Sequence, residues 1–188
     1  MRHAILLTAV SMMSVAAAAG AAGPGAVLGP PAAAEQTGCD DLGTICATSK
    51  TVASASCVPI DLVTVKCSGS ATVGGAGSSP AGLPGTADWT GSAACSGTCG
   101  DPASGNANGL AAWPGFGVNG AGTEQTIVLG PVTQTLLTGC ITFTVTALAD
   151  AHAATFLSVP GVLDLPVTEA TAPQAQDSAS ATICGPLG

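Results

Sequence analysis

Acid–base chemistry near neutral pH calls for an imidazole, and beyond the first three residues this chain has one, His152. It stands in Ala149-Asp150-Ala151-His152. Two positions apart on an extended chain, Asp150 and His152 project to the same side, where the carboxylate could orient the ring toward a hydroxyl nucleophile. Serines are plentiful, but none lies in the Gly-x-Ser-x-Gly turn that presents such a nucleophile. The pair carries one hydrolase reading, against which stands the simpler one of a polar pair at a strand end. Glycoside cleavage would need two carboxylates flanking a bond. Asp40 and Asp41 point opposite ways if extended, and Glu124, Asp164 and Glu169 are scattered through segments that read as turns. The sequence therefore assigns no catalytic residue.

The eight cysteines have a plainer chemistry. Positions Cys39, Cys46, Cys57, Cys67, Cys95, Cys99, Cys140 and Cys184 predict disulfides formed in an oxidising compartment. Nearest-neighbour spacing makes small loops of Cys39–Cys46, Cys57–Cys67 and Cys95–Cys99, which leaves Cys140 and Cys184 to join two late strands. Zinc is the competing use, yet no second cysteine pair or histidine follows Cys95-Ser96-Gly97-Thr98-Cys99 at finger-like distance. Asp101, Ser104, Asn106, Asn108 and Gly109 imitate the first half of a calcium loop, but Gly115 stands where the bidentate glutamate belongs. No metal and no cofactor is expected.

Aromatic residues suggest recognition more than catalysis. The chain has no tyrosine, and Trp89, Trp113 and Phe116 lie in its Gly-rich middle, the last two within Trp113-Pro114-Gly115-Phe116-Gly117. Indole rings on exposed loops stack on sugars or enter apolar pockets, so these three are the candidate ligand-binding residues. The alternative is that they fold back as the core of a region short of large side chains.

Whatever positions these groups must be built mainly of strands. Ile141-Thr142-Phe143-Thr144-Val145-Thr146-Ala147 alternates apolar residues with threonine, the period of a strand wet on one face. Val58 to Lys66 is rich in β-branched residues and reads as a strand with a turn behind it at Ser68-Gly69. Further strands are predicted at Gln125 to Leu129, Val132 to Leu137, Ala153 to Val159, Val162 to Leu165 and Ser178 to Cys184, broken at Gly130-Pro131, Gly139, Ala149-Asp150 and Pro160-Gly161. Residues 35–56 read as irregular or as an edge strand. Residues 68–122 read as a long Gly-rich irregular region that contains short strands or turns held by Cys95 and Cys99, or else is partly mobile. Together these predict an all-β fold, an antiparallel immunoglobulin-like β-sandwich stapled by disulfides.

The chain opens as a signal peptide does, with basic Met1-Arg2-His3 and an uncharged apolar stretch from Ala4 to Ala19. Glycines and prolines from Gly20 onward argue against a membrane-spanning helix. Cleavage is expected within Ala32-Ala33-Ala34, with the Ala16 to Ala19 run as second candidate, so residues 1–34 are read as the leader and 35–188 as one secreted domain. With Arg2 in the leader, Lys50 and Lys66 are the basic residues left to offset 11 acidic ones, and the whole chain carries a formal charge of −8. Nucleic acid and anionic lipid, which need clustered Lys and Arg, are excluded as partners.

The expected role is a non-enzymatic, extracellular or cell-envelope structural protein, adhesive or self-assembling, with itself or cell-surface components as partner. A binding module for a small apolar ligand or glycan, using the loop tryptophans, is the alternative. A hydrolase around His152 and Asp150 comes third.

Overall fold

A computed structural model describes residues 27–29, 32–157 and 165–185. Ten strands follow in chain order: β1 (Val27–Leu28), β2 (Ala32–Cys39), β3 (Cys46–Pro59), β4 (Thr64–Ser78), β5 (Gly85–Gly97), β6 (Ser104–Trp113), β7 (Gly120–Thr135), β8 (Cys140–Leu157), β9 (Leu165–Thr171) and β10 (Ala175–Cys184). They form two antiparallel sheets packed face to face. In the first, β3 pairs with β4 and β4 with β7, while β1 and β2 share the other side of β3. In the second, β8 pairs with β5 and β5 with β6, while β9 and β10 share the other side of β8. The 18-residue β8 would extend about 55 Å at the usual strand rise, which sets the molecule's long axis.

Alternation is strict along β3, where Ala47, Ser49, Thr51, Ala53, Ala55 and Cys57 point inward and Thr48, Lys50, Val52, Ser54 and Ser56 outward. Alanine is the commonest core residue, so few inward positions supply bulk; the main ones are Trp89, Trp113, Phe143, Ile45 and Leu129. Glycine on the facing sheet makes the room for them. A Cβ on Gly75 would sit 2.6 Å from Cβ of Trp89, and one on Gly77 would sit 2.7 Å from the indole of Trp113.

All four disulfides join the cysteines that spacing had paired: Cys39–Cys46, Cys57–Cys67, Cys95–Cys99 and Cys140–Cys184. Three of them link residues directly opposite on neighbouring strands, β2 to β3, β3 to β4 and β10 to β8. Four disulfides are consistent with an extracellular location.

Several expected boundaries move. Residues 68–122 hold long strands where an irregular region with short ones was expected: most of β4 and all of β5 and β6 lie there. Apart from Val73, Trp89 and Trp113 their inward residues are mostly Gly and Ala, and their outward ones are largely Ser, Thr and Asn, so the period of two exists with little of the hydropathy contrast that reveals it. Val58 to Lys66 is not one strand but a hairpin, because the Asp61 carboxylate accepts from the amides of Val63 (2.9 Å) and Thr64 (2.7 Å) and holds a turn there. The segments split at Gly130-Pro131 are a single strand with a bulge, where those two residues stand opposite Ser68. Nor does β8 break at Ala149-Asp150, which pair with β5 throughout. Of the strand predicted at Val162 to Leu165, residues 162–164 lie outside the described residues.

Candidate functional site

The polar residues singled out in sequence meet on the outer face of the second sheet. His152 on β8 stands directly opposite Asp88 on β5, and its Nδ1 lies 3.2 Å from Asp88 Oδ1. Its Nε2 lies 3.6 Å from Oε2 of Glu169 on β9. Asp150 does share the outward face, as the spacing predicted, but its carboxylate accepts instead from Gln174 Nε2 at 3.1 Å. Carboxylates thus flank both ring nitrogens of His152, and among the described residues no hydroxyl hydrogen-bonds to either. Among the described residues, the groups beside the ring are carboxylates and not a serine hydroxyl. The cluster joins β5, β8 and β9, and it is open to solvent.

Trp89 and Trp113 are interior rather than ligand-facing, at 1% and 2% exposure. Each ring fills space left by glycine and satisfies its one polar atom: Trp89 Nε1 donates to Thr123 Oγ1 and Trp113 Nε1 to the carbonyl of Leu83, both at 2.8 Å. Of the three expected ligand-binding residues, Phe116 alone is presented outward. It is 96% exposed and adopts φ 52°, a left-handed conformation unusual for a side chain of this size. Its amide donates to the Gly82 carbonyl, and Gly115 bridges to Val118, so the turn that carries it is pinned.

The calcium-like segment is no loop either, since Ser104 to Gly109 form part of β6. Among the described residues no three His, Cys, Asp or Glu side chains converge as a metal site.

Hydroxyl pairs cross the outer faces of both sheets. Thr37 pairs with Thr48, Ser54 with Ser70 and Thr72 with Thr126 across the first sheet, at 2.9 to 3.1 Å. Thr142 pairs with Thr182 and Thr144 with Ser180 across the second, at 2.9 and 2.8 Å. Shallow troughs of about 330 Å³ and 470 Å³ lie on these faces.

Comparison with protein-family models, curated proteins and solved structures found no match. The surface chemistry must therefore be read from this chain alone.

One charged group escaped the sequence reading. Glu35, Lys50, Gly74 and Glu124 fall in one row across β2, β3, β4 and β7, with Lys50 Nζ 3.7 Å from Glu124. The residues span 90 positions of sequence, and only the strand register brings them together. The same is true of Asp88 and Glu169 beside His152.

Electrostatics sharpen at two turns. The Thr44 hydroxyl, with the amides of Ile45 and Thr44, holds Asp40 below the ordinary carboxylate value of 3.8. Asp61 is lowered likewise, first by the Val63 amide and then by Thr64. Both carboxylates serve to close turns, β2 to β3 and β3 to β4.

Proposed function

We propose that this protein is a secreted, non-enzymatic structural protein of the cell exterior or envelope that associates with itself or with other surface components through the two ends of its sandwich. One observation carries this reading: the three most exposed large apolar side chains, Phe116, Leu62 and Leu42, stand at the two ends, while the flanks between them, apart from Leu110 and Val128, carry mostly short, uncharged hydroxyl side chains. At one end Ile60 and Leu62 cap the β3–β4 turn beside Leu137, with Leu62 89% exposed. At the other stand Leu42, Phe116, Val118 and Leu157. Exposed apolar groups gathered at a surface favour burial against a partner, and a pair of patches at opposite ends allows head-to-tail growth.

Support for a structural role also comes from the histidine, whose neighbours are carboxylates rather than a nucleophile. An immunoglobulin-like arrangement is part of the same proposal. It is supported by two antiparallel sheets between which the chain crosses at β4–β5, β6–β7 and β7–β8.

Sedimentation velocity over a concentration series tests the reading. Larger species should grow with concentration, and Leu62→Asp or Phe116→Asp should suppress them at unchanged thermal stability. A protein that stays monomeric throughout, and retains no cell-wall or surface fraction, would rule the proposal out.

The pinned, outward Phe116 also favours a second reading, recognition of an apolar group or sugar face at that end. Binding to an immobilised glycan and hydrophobe panel that Phe116→Ala abolishes, with no self-association, would select it.

A further inference from the structure

The strands begin earlier than the expected mature domain. Val27 and Leu28 pair with Cys57 and Ser56, and Ala32, Ala33 and Ala34 pair with Ala53, Val52 and Thr51. Together β1 and β2 cover one side of β3, whose inward Ala53, Ala55 and Cys57 belong to the core.

Three features show a chain fitted to this seam rather than laid against it. The Gly29 amide donates to the Ala55 carbonyl at 3.1 Å, continuing the ladder past β1. Gly29 lies so close to the backbone carbonyl of Ser180 on β10 that a Cβ has no room, and Gly38 is placed in the same way on Thr171 of β9. Beside the gap between β1 and β2, at the Ala53 that pairs with Ala32, Asp177 of β10 reaches across, and its carboxylate accepts from the Ala53 amide at 3.1 Å.

Resting on the secreted reading above, we infer that leader processing occurs upstream of Val27, in the Ala16 to Ala19 run, and that residues 27–34 are retained as the sheet's edge. Signal peptidases take small residues at the first and third positions before the cut, which both alanine runs supply. Sequence at the cut therefore does not decide between them, and the fold does. Cleavage after Ala34 would remove β1, Gly29 and the first three residues of β2. It would leave the edge of β3 bare along Thr51 to Cys57, where an unpaired ladder invites pairing with other chains. The reaction is hydrolysis of one peptide bond: water supplies the hydroxyl of the leader's new carboxyl group and a proton to the new α-amino group.

The test is to secrete the full chain from an exporting host and determine the intact mass and N-terminal sequence of the released protein. A start between Ala17 and Gly20 is expected, and a start downstream of Val27 overturns the inference. A start at Glu35 overturns this inference and leaves the secreted reading intact, whereas an uncut chain beginning at Met1 overturns both. Gly29→Val in the same full-length precursor gives an independent readout. If residue 29 is retained, the secreted variant differs in mass from the parent and its Tm falls by about 5 °C or more, because the side chain has no space against Ser180. Were residue 29 discarded with the leader, the two secreted proteins would be identical in mass and Tm, and the inference would fail.

Discussion

Thr51 turns its hydroxyl into the interior, with no exposure and no hydrogen-bond partner among the described residues. A polar atom buried in this way loses water and regains nothing. Valine has nearly the same shape without the hydroxyl, so Thr51→Val should raise stability by about 1 kcal/mol in chemical denaturation. Its buried neighbours in kind are satisfied: Ser49 donates to the Pro173 carbonyl at 2.7 Å and Ser79 to that of Thr44 at 3.0 Å. At the two tight turns the direction of pH dependence follows from Asp40 and Asp61, whose folded pKa values lie below 3.8. A group depressed on folding contributes stability that is present above its unfolded pKa and lost as pH falls through the folded one. Side-chain carboxyl resonances of both should therefore titrate by NMR with midpoints under 3.8, and the two turns should loosen only in that acid range. Residues of this kind are hidden from sequence reading. Nothing in Ser-Lys-Thr-Val marks Thr51 as orphaned, and Trp89 reads as a loop residue until β5 is seen to turn it toward Gly75.

Strand by strand, legibility depended on side-chain size. Ile141 to Ala147 stands out because Ile, Phe and Val alternate with Thr, and it is indeed part of β8. In β4, by contrast, the inward sequence Ala71, Val73, Gly75, Gly77 alternates with Thr72, Gly74, Ala76, and the eye finds no rhythm. That lack of contrast has a structural use, since inward glycines let the sheets close over two indoles. The cysteines were the most legible feature, because a short antiparallel hairpin brings nearby positions opposite one another and the long link follows by elimination. Their energetic weights should differ. Cys140 and Cys184 are separated by 44 residues and Cys95 and Cys99 by 4. Loop-closure entropy then assigns about 4 kcal/mol to the first and about 2 kcal/mol to the second. Denaturation of the Cys140→Ser/Cys184→Ser and Cys95→Ser/Cys99→Ser variants should reproduce that order.

At the scale of the molecule, polarity is arranged lengthwise. The broad faces carry hydroxyl pairs, the ends carry Leu62 and Phe116, and charges on the faces gather in small groups, as in the row of Glu35, Lys50 and Glu124. Association through such ends depends on apolar burial rather than ion pairs. Added sulfate should therefore strengthen the concentration-dependent species seen in sedimentation, the opposite of the response of a charge-driven contact. Positive hydropathy and sparse charge are what in the sequence motivates the proposal of a self-associating surface protein. Which surface would meet the partner was illegible, because Ile60, Leu62 and Phe116 read as strand or loop members until the turns set them at the tips. The scarcity of basic residues has one more consequence. Lys50 and Lys66 both lie inside paired strands, β3 and β4, and not at loop tips, where proteases cut most readily. A trypsin-like enzyme thus finds its bonds after Lys50 and Lys66 withheld by the ladder, and the folded protein should resist trypsin until the sheet opens.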